Sequence, residues 1–390
     1  MKLFKTYLSF LGIALVFASC AKDELYNKET NNEELIDMVF TAHSNHPLSR
    51  TVLGADGETV TWQENDQIGI GYQYSNNNVT KPFKTPTAGS DVHFWGKAAD
   101  VTSSYFMMYP YQENARISYK TNLQAEYKFS FPKNQTATAG SFDPKANISV
   151  GVIPKRYEPF IAYNVGGLVR FTIKGTDKVK QVKLFAIGQD NLVGDITSTI
   201  SFKTNGQINK IQTKITNGTP VVNLIAENGG LKEETPYYIA LPEEKISKGI
   251  SIIFTLDDGK SIIKKVKQEI NIERAKVYDL GEIVLNPTSA KSFILKNKVL
   301  IDAVAEIIHG IERYGNGDMN IYEGENLEKI LSFKGTLSIQ NNNELTTLDE
   351  LQYYRNVTSL NVQNNKNLGD EFLIPNYNLF DFGAFATTSY

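Results

Sequence analysis

The sequence predicts an all-β protein, and three observations lead to that prediction. Apolar and polar residues alternate over Ile36–Ala42, which is typical of a strand with one buried face. Asp-Gly steps such as Asp56-Gly57 and Asp258-Gly259 lie between apolar runs, and they favour the positive φ angles of tight hairpin turns. Tyr and Phe are abundant, at 20 and 21 residues, and aromatic residues favour strands. Few segments outside the C-terminal quarter have a helical period, so we expect antiparallel sandwiches.

Further strands are predicted wherever short runs rich in β-branched and aromatic residues end at turn residues. These runs are Thr51–Leu53, Thr59–Trp62, Leu168–Ile173, Gln181–Ile187, Tyr237–Leu241, Ser251–Leu256 and Ile262–Val266. The first two should form one hairpin, and the last two should form another.

The first twenty residues are typical of an exported lipoprotein. Lys2 and Lys5 precede an apolar run, Tyr7–Phe17, which is too short to span a bilayer as a helix. Small residues then lead to Cys20, the single cysteine of the chain. This ending resembles the lipobox, in which diacylglycerol joins the cysteine sulfur and cleavage makes the cysteine the first residue. We predict a signal peptide over residues 1–19 and lipid attachment at Cys20. The alternative is an ordinary signal peptide with a chance cysteine.

Residues 20–34 form a polar stretch that cannot bury apolar surface, so we expect a lipidated flexible tether. Its Lys22-Asp23-Glu24 step resembles the surface-export tag of some Gram-negative lipoproteins, although a plain tether explains it equally well. The expected location is the outer membrane, lipid-anchored and surface-exposed.

Three further regions follow from the change of pattern along the chain. Strand signals fill residues 35–160 and 161–287, for which we predict two β-sandwiches. The pattern changes after Asn286-Pro287. Apolar residues recur at helical spacing over Val299–Tyr314, and Gly315 should end that helix.

Residues 288–390 also contain an internal repeat. Two copies of a Leu-x-apolar-Gln-Asn-Asn pattern lie 23 residues apart, and a weaker copy begins at Met319. The pattern resembles a leucine-rich repeat, with the preceding helix as its cap. The predicted repeat core is Leu337, Ile339, Leu345, Leu360, Val362 and Leu368. Two hairpins that are similar by chance are the alternative.

The order of several short motifs behind the lipobox resembles the fimbrillin family, the lipoprotein subunits of type V pili. The motifs are Arg50-Thr51, Thr59–Trp62, Asn65–Gly69, Tyr105–Tyr111, Pro132–Thr138, Gly140–Asp143, Tyr237–Pro242 and Ile272–Gly281. The resemblance covers residues 36–285 and leaves the repeat region outside. It implies two tandem transthyretin-like β-sandwiches. It also implies that other pilus subunits are partners through β-strand exchange.

In fimbrillins, a surface protease cuts after an arginine and releases the first strand, and a strand of the next subunit fills the groove. By this resemblance, Ile36–His43 would be the first strand, and cleavage would fall between Arg50 and Thr51. An ordinary loop arginine is the alternative. The region after Pro287 departs from a stalk subunit and better suits a tip or accessory subunit. Its repeats offer a surface for a host protein or a glycan.

No catalytic, cofactor or metal site is predicted. His43 and His46 have a ligand-like spacing, but the local pattern is extended. The net charge of −3 provides no basic field for nucleic acid. Two function classes remain: a structural and adhesive pilus subunit, or a surface lipoprotein that binds glycan or host protein without polymerising. An enzyme is not expected.

Overall fold

The computed structural model describes residues 34–43, 52–53, 60–227, 229–354 and 357–368. Strands dominate these residues, so the predicted all-β class is confirmed. The predicted boundaries of signal peptide, tether and sandwiches stay predictions.

The strands of the first part of the chain are β1 (Ile36–Ala42), β2 (Val52–Leu53), β3 (Val60–Thr61), β4 (Gln67–Gly71), β5 (Lys81–Lys84), β6 (Val92–Ala98), β7 (Tyr105–Tyr109), β8 (Arg116–Thr121), β9 (Gln124–Phe131), β10 (Asn134–Thr136), β11 (Ser149–Ile153) and β12 (Tyr163–Asn164). The strands of the middle part are β13 (Gly166–Lys174), β14 (Val179–Ala186), β15 (Val193–Phe202), β16 (Ile208–Thr219), β17 (Val221–Ile225), β18 (Tyr237–Pro242), β19 (Glu244–Ile246), β20 (Ile250–Leu256), β21 (Ser261–Val266), β22 (Ile270–Ile272) and β23 (Val277–Val284). The last part contains β24 (Ile294–Leu295), helix α1 (Lys298–Ala305), β25 (Met319–Asn320), helix α2 (Asn326–Ser332), β26 (Gly335–Ser338) and β27 (Val357–Asn361). Short 3-10 turns lie at Asn76–Asn78, Pro287–Ser289 and Asp349–Tyr353.

A seven-stranded sheet with the order β1-β6-β5-β4-β7-β11-β12 forms the first lobe. Strand β1 lies at its edge and pairs antiparallel with β6 from Ile36 to Ala42. On its other side, β1 meets the segment after β11 near its end, where Ala42 and Phe160 form an isolated parallel bridge. Within the part of the chain that the structure describes, the rest of that side of β1 has no ladder.

The predicted boundary between residues 160 and 161 separates stretches of chain whose strands share a sheet. Strands β8 and β9 precede the boundary, β15 and β16 follow it, and the four form one sheet with the order β16-β15-β9-β8. Strand β7 is buried on both faces. Tyr105, Met107 and Tyr109 enter the core of the first lobe, whereas Phe106 and Met108 enter the core of the second. We therefore expect the two lobes to depend on each other for stability.

The second lobe packs a five-stranded sheet, β10-β17-β14-β20-β21, and a three-stranded sheet, β18-β13-β23, around the second core. The predicted strands in this region are present, and the hairpin β20–β21 pairs antiparallel as expected. Most ladders of this lobe are antiparallel, as expected, but β13 pairs in parallel with β23 and β10 in parallel with β17. The partners in both pairs are distant in sequence, so long connections can return the chain in the same direction.

The predicted helix over Val299–Tyr314 is too long. Helix α1 ends at Ala305, although apolar spacing continues beyond it. Gly310 takes a φ of +76°, and Arg313 folds back to form an ion pair with Asp302. The chain therefore turns back within the segment for which the apolar spacing predicted a continuous helix.

The C-terminal region lies against the outer face of the five-stranded sheet. Phe185, Val221 and Ile253 point outward from that sheet and belong to the same buried apolar cluster as residues of α1 and α2. Apolar contacts therefore attach the C-terminal region to the second lobe, in addition to the covalent connection of the polypeptide.

Candidate functional site

The candidate site is β1 together with the groove that it fills. Met38, Phe40 and Ala42 point into the core of the first lobe and are all buried. The residues between them point outward, as the period of two requires. The prediction of this strand from its alternation is confirmed.

Aromatic rings form the floor of the groove. The ring centroid of Phe40 lies 5.0 Å from that of Phe83 on β5 and 5.0 Å from that of Tyr105 on β7. Burial raises the pKa of Tyr105 above its ordinary value, and its hydroxyl donates a hydrogen bond to the carbonyl of Ala99 at 2.9 Å. Removal of β1 would therefore uncover a row of aromatic side chains.

Gly96 on β6 makes room for this packing. It pairs with Met38 on one side and with Phe83 on the other. A Cβ atom at position 96 would lie 2.7 Å from Cγ of Phe83 and 2.6 Å from the carbonyl oxygen of Pro82. The missing side chain lets the Phe83 ring lie beneath β1, where it reaches Phe40.

Cys20, Arg50 and Thr51 lie outside the described residues, so lipid attachment and cleavage stay predictions. His46 lies there too. His43 is described, and its Nδ1 donates to a carboxylate oxygen of Asp91 at 2.7 Å. Within the described residues, no group of three or more His, Cys, Asp or Glu side chains could hold a metal.

The six predicted repeat-core residues share one apolar cluster. Strands β26 and β27 pair in parallel, with Leu337 opposite Leu360. Leu337, Ile339 and Leu345 are buried, while Leu360, Val362 and Leu368 are partly buried and pack against the same cluster. The two copies thus lie side by side, and their assignment to leucine-rich repeats stays a prediction.

Asparagines connect the two copies at their turns. Asn365 donates from Nδ2 to the carbonyls of Ile339 at 2.7 Å and Val362 at 2.6 Å. Its Oδ1 accepts from the backbone N–H of Asn342 at 2.8 Å. The repeated asparagines therefore satisfy backbone groups in the turns that follow each strand.

The weaker third copy is placed differently. Met319-Asn320 forms β25, which pairs antiparallel with β24 and not with β26. Met319 and Ile321 are nevertheless buried in the same cluster as the other copies. The weaker copy therefore shares the apolar cluster but does not extend the parallel pair β26–β27, since Met319-Asn320 pairs with β24 instead.

A buried ion pair under the C-terminal region was missed by the sequence analysis. The Lys183 side chain on β14 is fully buried, and its Nζ lies 3.3 Å from a carboxylate oxygen of Glu328 on α2. The same Nζ donates to the carbonyl of Gly324 at 3.1 Å. Burial lowers the pKa of Lys183, and the nearby Glu328 carboxylate opposes that shift. Lys133 and Glu325 form a second ion pair between the same two regions.

Leu337→Ala is expected to lower the free energy of unfolding of the C-terminal region by about 2–5 kcal/mol, since it leaves a cavity in a packed core. The matched control is Ser338→Ala, which changes the exposed neighbour on the same strand and should stay within about 0.5 kcal/mol. Limited proteolysis with denaturant titration measures both. Equal resistance of the two variants would contradict the shared core.

No family model matches the chain, and no curated protein matches it. Solved structures do match. A candidate cell adhesion protein from Bacteroides ovatus is 11% identical with a TM-score of 0.41, over 66% of this chain and 95% of that chain. A candidate cell adhesion protein from Bacteroides uniformis is 15% identical with a TM-score of 0.38, over 65% of this chain and 94% of that chain. The tip fimbrial protein Mfa3 from Porphyromonas gingivalis, with a C-terminal truncation, is 8% identical with a TM-score of 0.29, over 66% of this chain and 97% of that chain. The chain is thus similar to solved proteins that are named for adhesion and fimbriae.

Neither α-helix in the described part of the chain has the length and apolar character needed to cross a membrane.

Proposed function

We propose that this protein is a surface-exposed, lipid-anchored, fimbrillin-like subunit with a structural and adhesive role at the tip of a pilus or as an accessory component. Assembly proceeds by strand exchange. A protease cuts after Arg50, β1 leaves its groove, and a strand of another subunit replaces it.

The observation that carries the proposal is the position of β1. It is an edge strand, it is first in the described chain, and its three inward side chains fill a groove lined with aromatic rings. While β1 is joined to the body, its local concentration is high and a competing strand is excluded. After cleavage it can dissociate, and an incoming strand can use the same backbone groups and the same side-chain positions.

The test compares cut and uncut protein. Trypsin-like cleavage after Arg50 should leave a chain that takes up a labelled peptide of residues 34–43, whereas the uncut chain should not. Arg50→Ala should keep β1 joined to the rest of the chain and should not take up the peptide. Arg50→Lys is the matched control, because trypsin cuts it whereas an arginine-specific protease does not. Equal uptake by cut and uncut chains would contradict strand exchange.

Cys20→Ala is expected to remove most of the protein from the membrane fraction, since the acyl chains supply the attachment. Lipid labelling followed by membrane fractionation measures this, with Ser19→Ala as a control that keeps a small residue before the cysteine. Unchanged labelling and retention of the Cys20→Ala protein would contradict a lipid anchor.

The second candidate function is glycan or protein binding without polymerisation. A cavity of about 710 Å³ lies where the β15–β16 region faces α2, and Asn191, Asn217 and Lys334 are among its lining residues. Amide and ammonium groups of this kind can bond hydroxyl or carboxylate groups. A protein that stays monomeric after cleavage and retains a soluble glycan would favour this function over assembly.

A further inference from the structure

The outer face of the pair β1–β6 carries a row of matched side chains. Antiparallel register places Asp37 opposite Lys97, Val39 opposite Trp95, Thr41 opposite His93, and His43 beyond them beside Asp91. Residues that face each other directly on one side of a sheet interact, and opposite charges or aromatic–aliphatic pairs stabilise the pairing.

Three of these four pairs have a polar contact. The Lys97 ammonium lies 3.1 Å from the Asp37 carboxylate. Thr41 Oγ1 lies 3.0 Å from Nδ1 of His93, and His43 donates to Asp91 at 2.7 Å. Trp95 is 57% exposed, with half-buried Val39 as its cross-strand neighbour.

The two ends of β6 differ in charge. Lys97 lies beside the beginning of β1, and Asp91 lies beside its end. A strand that enters in the opposite direction, or that slips by two residues, keeps its inward alternation but loses both end contacts. The outer face therefore adds to the direction and register that the buried inner face favours.

We propose that the outer face of β6 selects the strand that replaces β1. The partner is an extended segment of another subunit that runs antiparallel to β6. It carries an acidic residue, an aliphatic residue, a hydroxyl residue and an imidazole or basic residue outward, in that order, with apolar residues inward between them. This inference rests on the proposed strand exchange and names the chemistry of the partner strand.

The test uses two peptides of residues 34–43 with the same composition. One has the native sequence, and the other carries Asp37→His with His43→Asp, so that only the two outward ends are exchanged. In native protein cut after Arg50, the exchanged peptide should bind about tenfold more weakly, because it loses both the Asp37–Lys97 and the His43–Asp91 contacts and places two carboxylates together. In a cut protein carrying Lys97→Asp with Asp91→Lys, which also keeps its composition, the preference should reverse.

The outcomes distinguish a failure of strand exchange from a failure of selection by β6. If the native peptide does not enter the cut protein, strand exchange itself fails. The same substitutions are then compared in the intact chain, where hydrogen exchange of the β1 amides reports the pairing. If the native peptide enters but both peptides bind both proteins within about twofold of each other, the selection by β6 is overturned while strand exchange stands. Four intact chains are compared: the unchanged chain, the chain with the β1 exchange, the chain with the Lys97 and Asp91 exchange, and the chain with both exchanges. Equal protection of the β1 amides in all four overturns the selection as well.

Discussion

Phe40→Ala is expected to lower the free energy of unfolding of the intact chain by about 3–5 kcal/mol. The Phe40 side chain is fully buried and contacts two aromatic rings across the groove. Truncation removes that apolar surface and leaves a cavity that Phe83 and Tyr105 can close only in part, since both are fixed in neighbouring strands. Denaturant titration followed by tryptophan fluorescence is a direct measurement, because Trp62 lies in the same core.

The matched control is Val39→Thr, which keeps a β-branched residue at the next position of β1. Val39 points outward and is half-buried, so the change should cost less than about 1 kcal/mol. Equal effects of the two substitutions would mean that the inward face of β1 does not hold the strand.

Lys183→Ala is expected to destabilise the protein by about 3–5 kcal/mol, because it leaves the Glu328 carboxylate buried without its charge partner. The Glu328 side chain is only 10% exposed, and one of its oxygens already has no hydrogen-bond partner among the described residues. The double variant Lys183→Met with Glu328→Leu removes both charges and should recover most of the loss. Thermal or denaturant unfolding measures each variant.

Lys180→Ala is the control for this experiment, since Lys180 lies on the same strand and is only half-buried. Its effect should stay within about 0.5 kcal/mol. If Lys183→Ala behaves like Lys180→Ala, or if the double variant is as unstable as the single one, the ion pair does not attach the C-terminal region to the second lobe.

Local patterns in the sequence predicted the local structure well. The alternation over Ile36–Ala42 gives the bounds and the buried face of β1, because a period of two depends only on neighbouring residues. The Asp-Gly step also predicted the hairpin β20–β21. Pairing between distant strands was not predictable in this way. Nothing near β9 indicates that its partner is β15, which lies on the other side of the predicted boundary in the sequence.

In the candidate site, too, local features could be predicted and contacts between distant strands could not. The inward face of β1 could be predicted. The positions of Asp91, Trp95 and Lys97 beside β1 could be recognised only from the structure, which pairs β6 with β1. Lys183 was missed because its partner is 145 residues away. One feature of the sequence could have indicated it. Lys183 interrupts the apolar run between Val182 and Phe185, on a strand that is buried on both faces.

Strand exchange requires that cleavage release β1, and the mass of the mature protein from the cell surface shows whether this happens. We expect assembled protein to begin at Thr51 and Arg50→Ala protein to keep the residues before it. Intact mass measurement with sequencing of the first residues distinguishes these forms. Assembled protein that begins only at Cys20 would contradict the account, and β1 would then be a permanent strand of the first lobe.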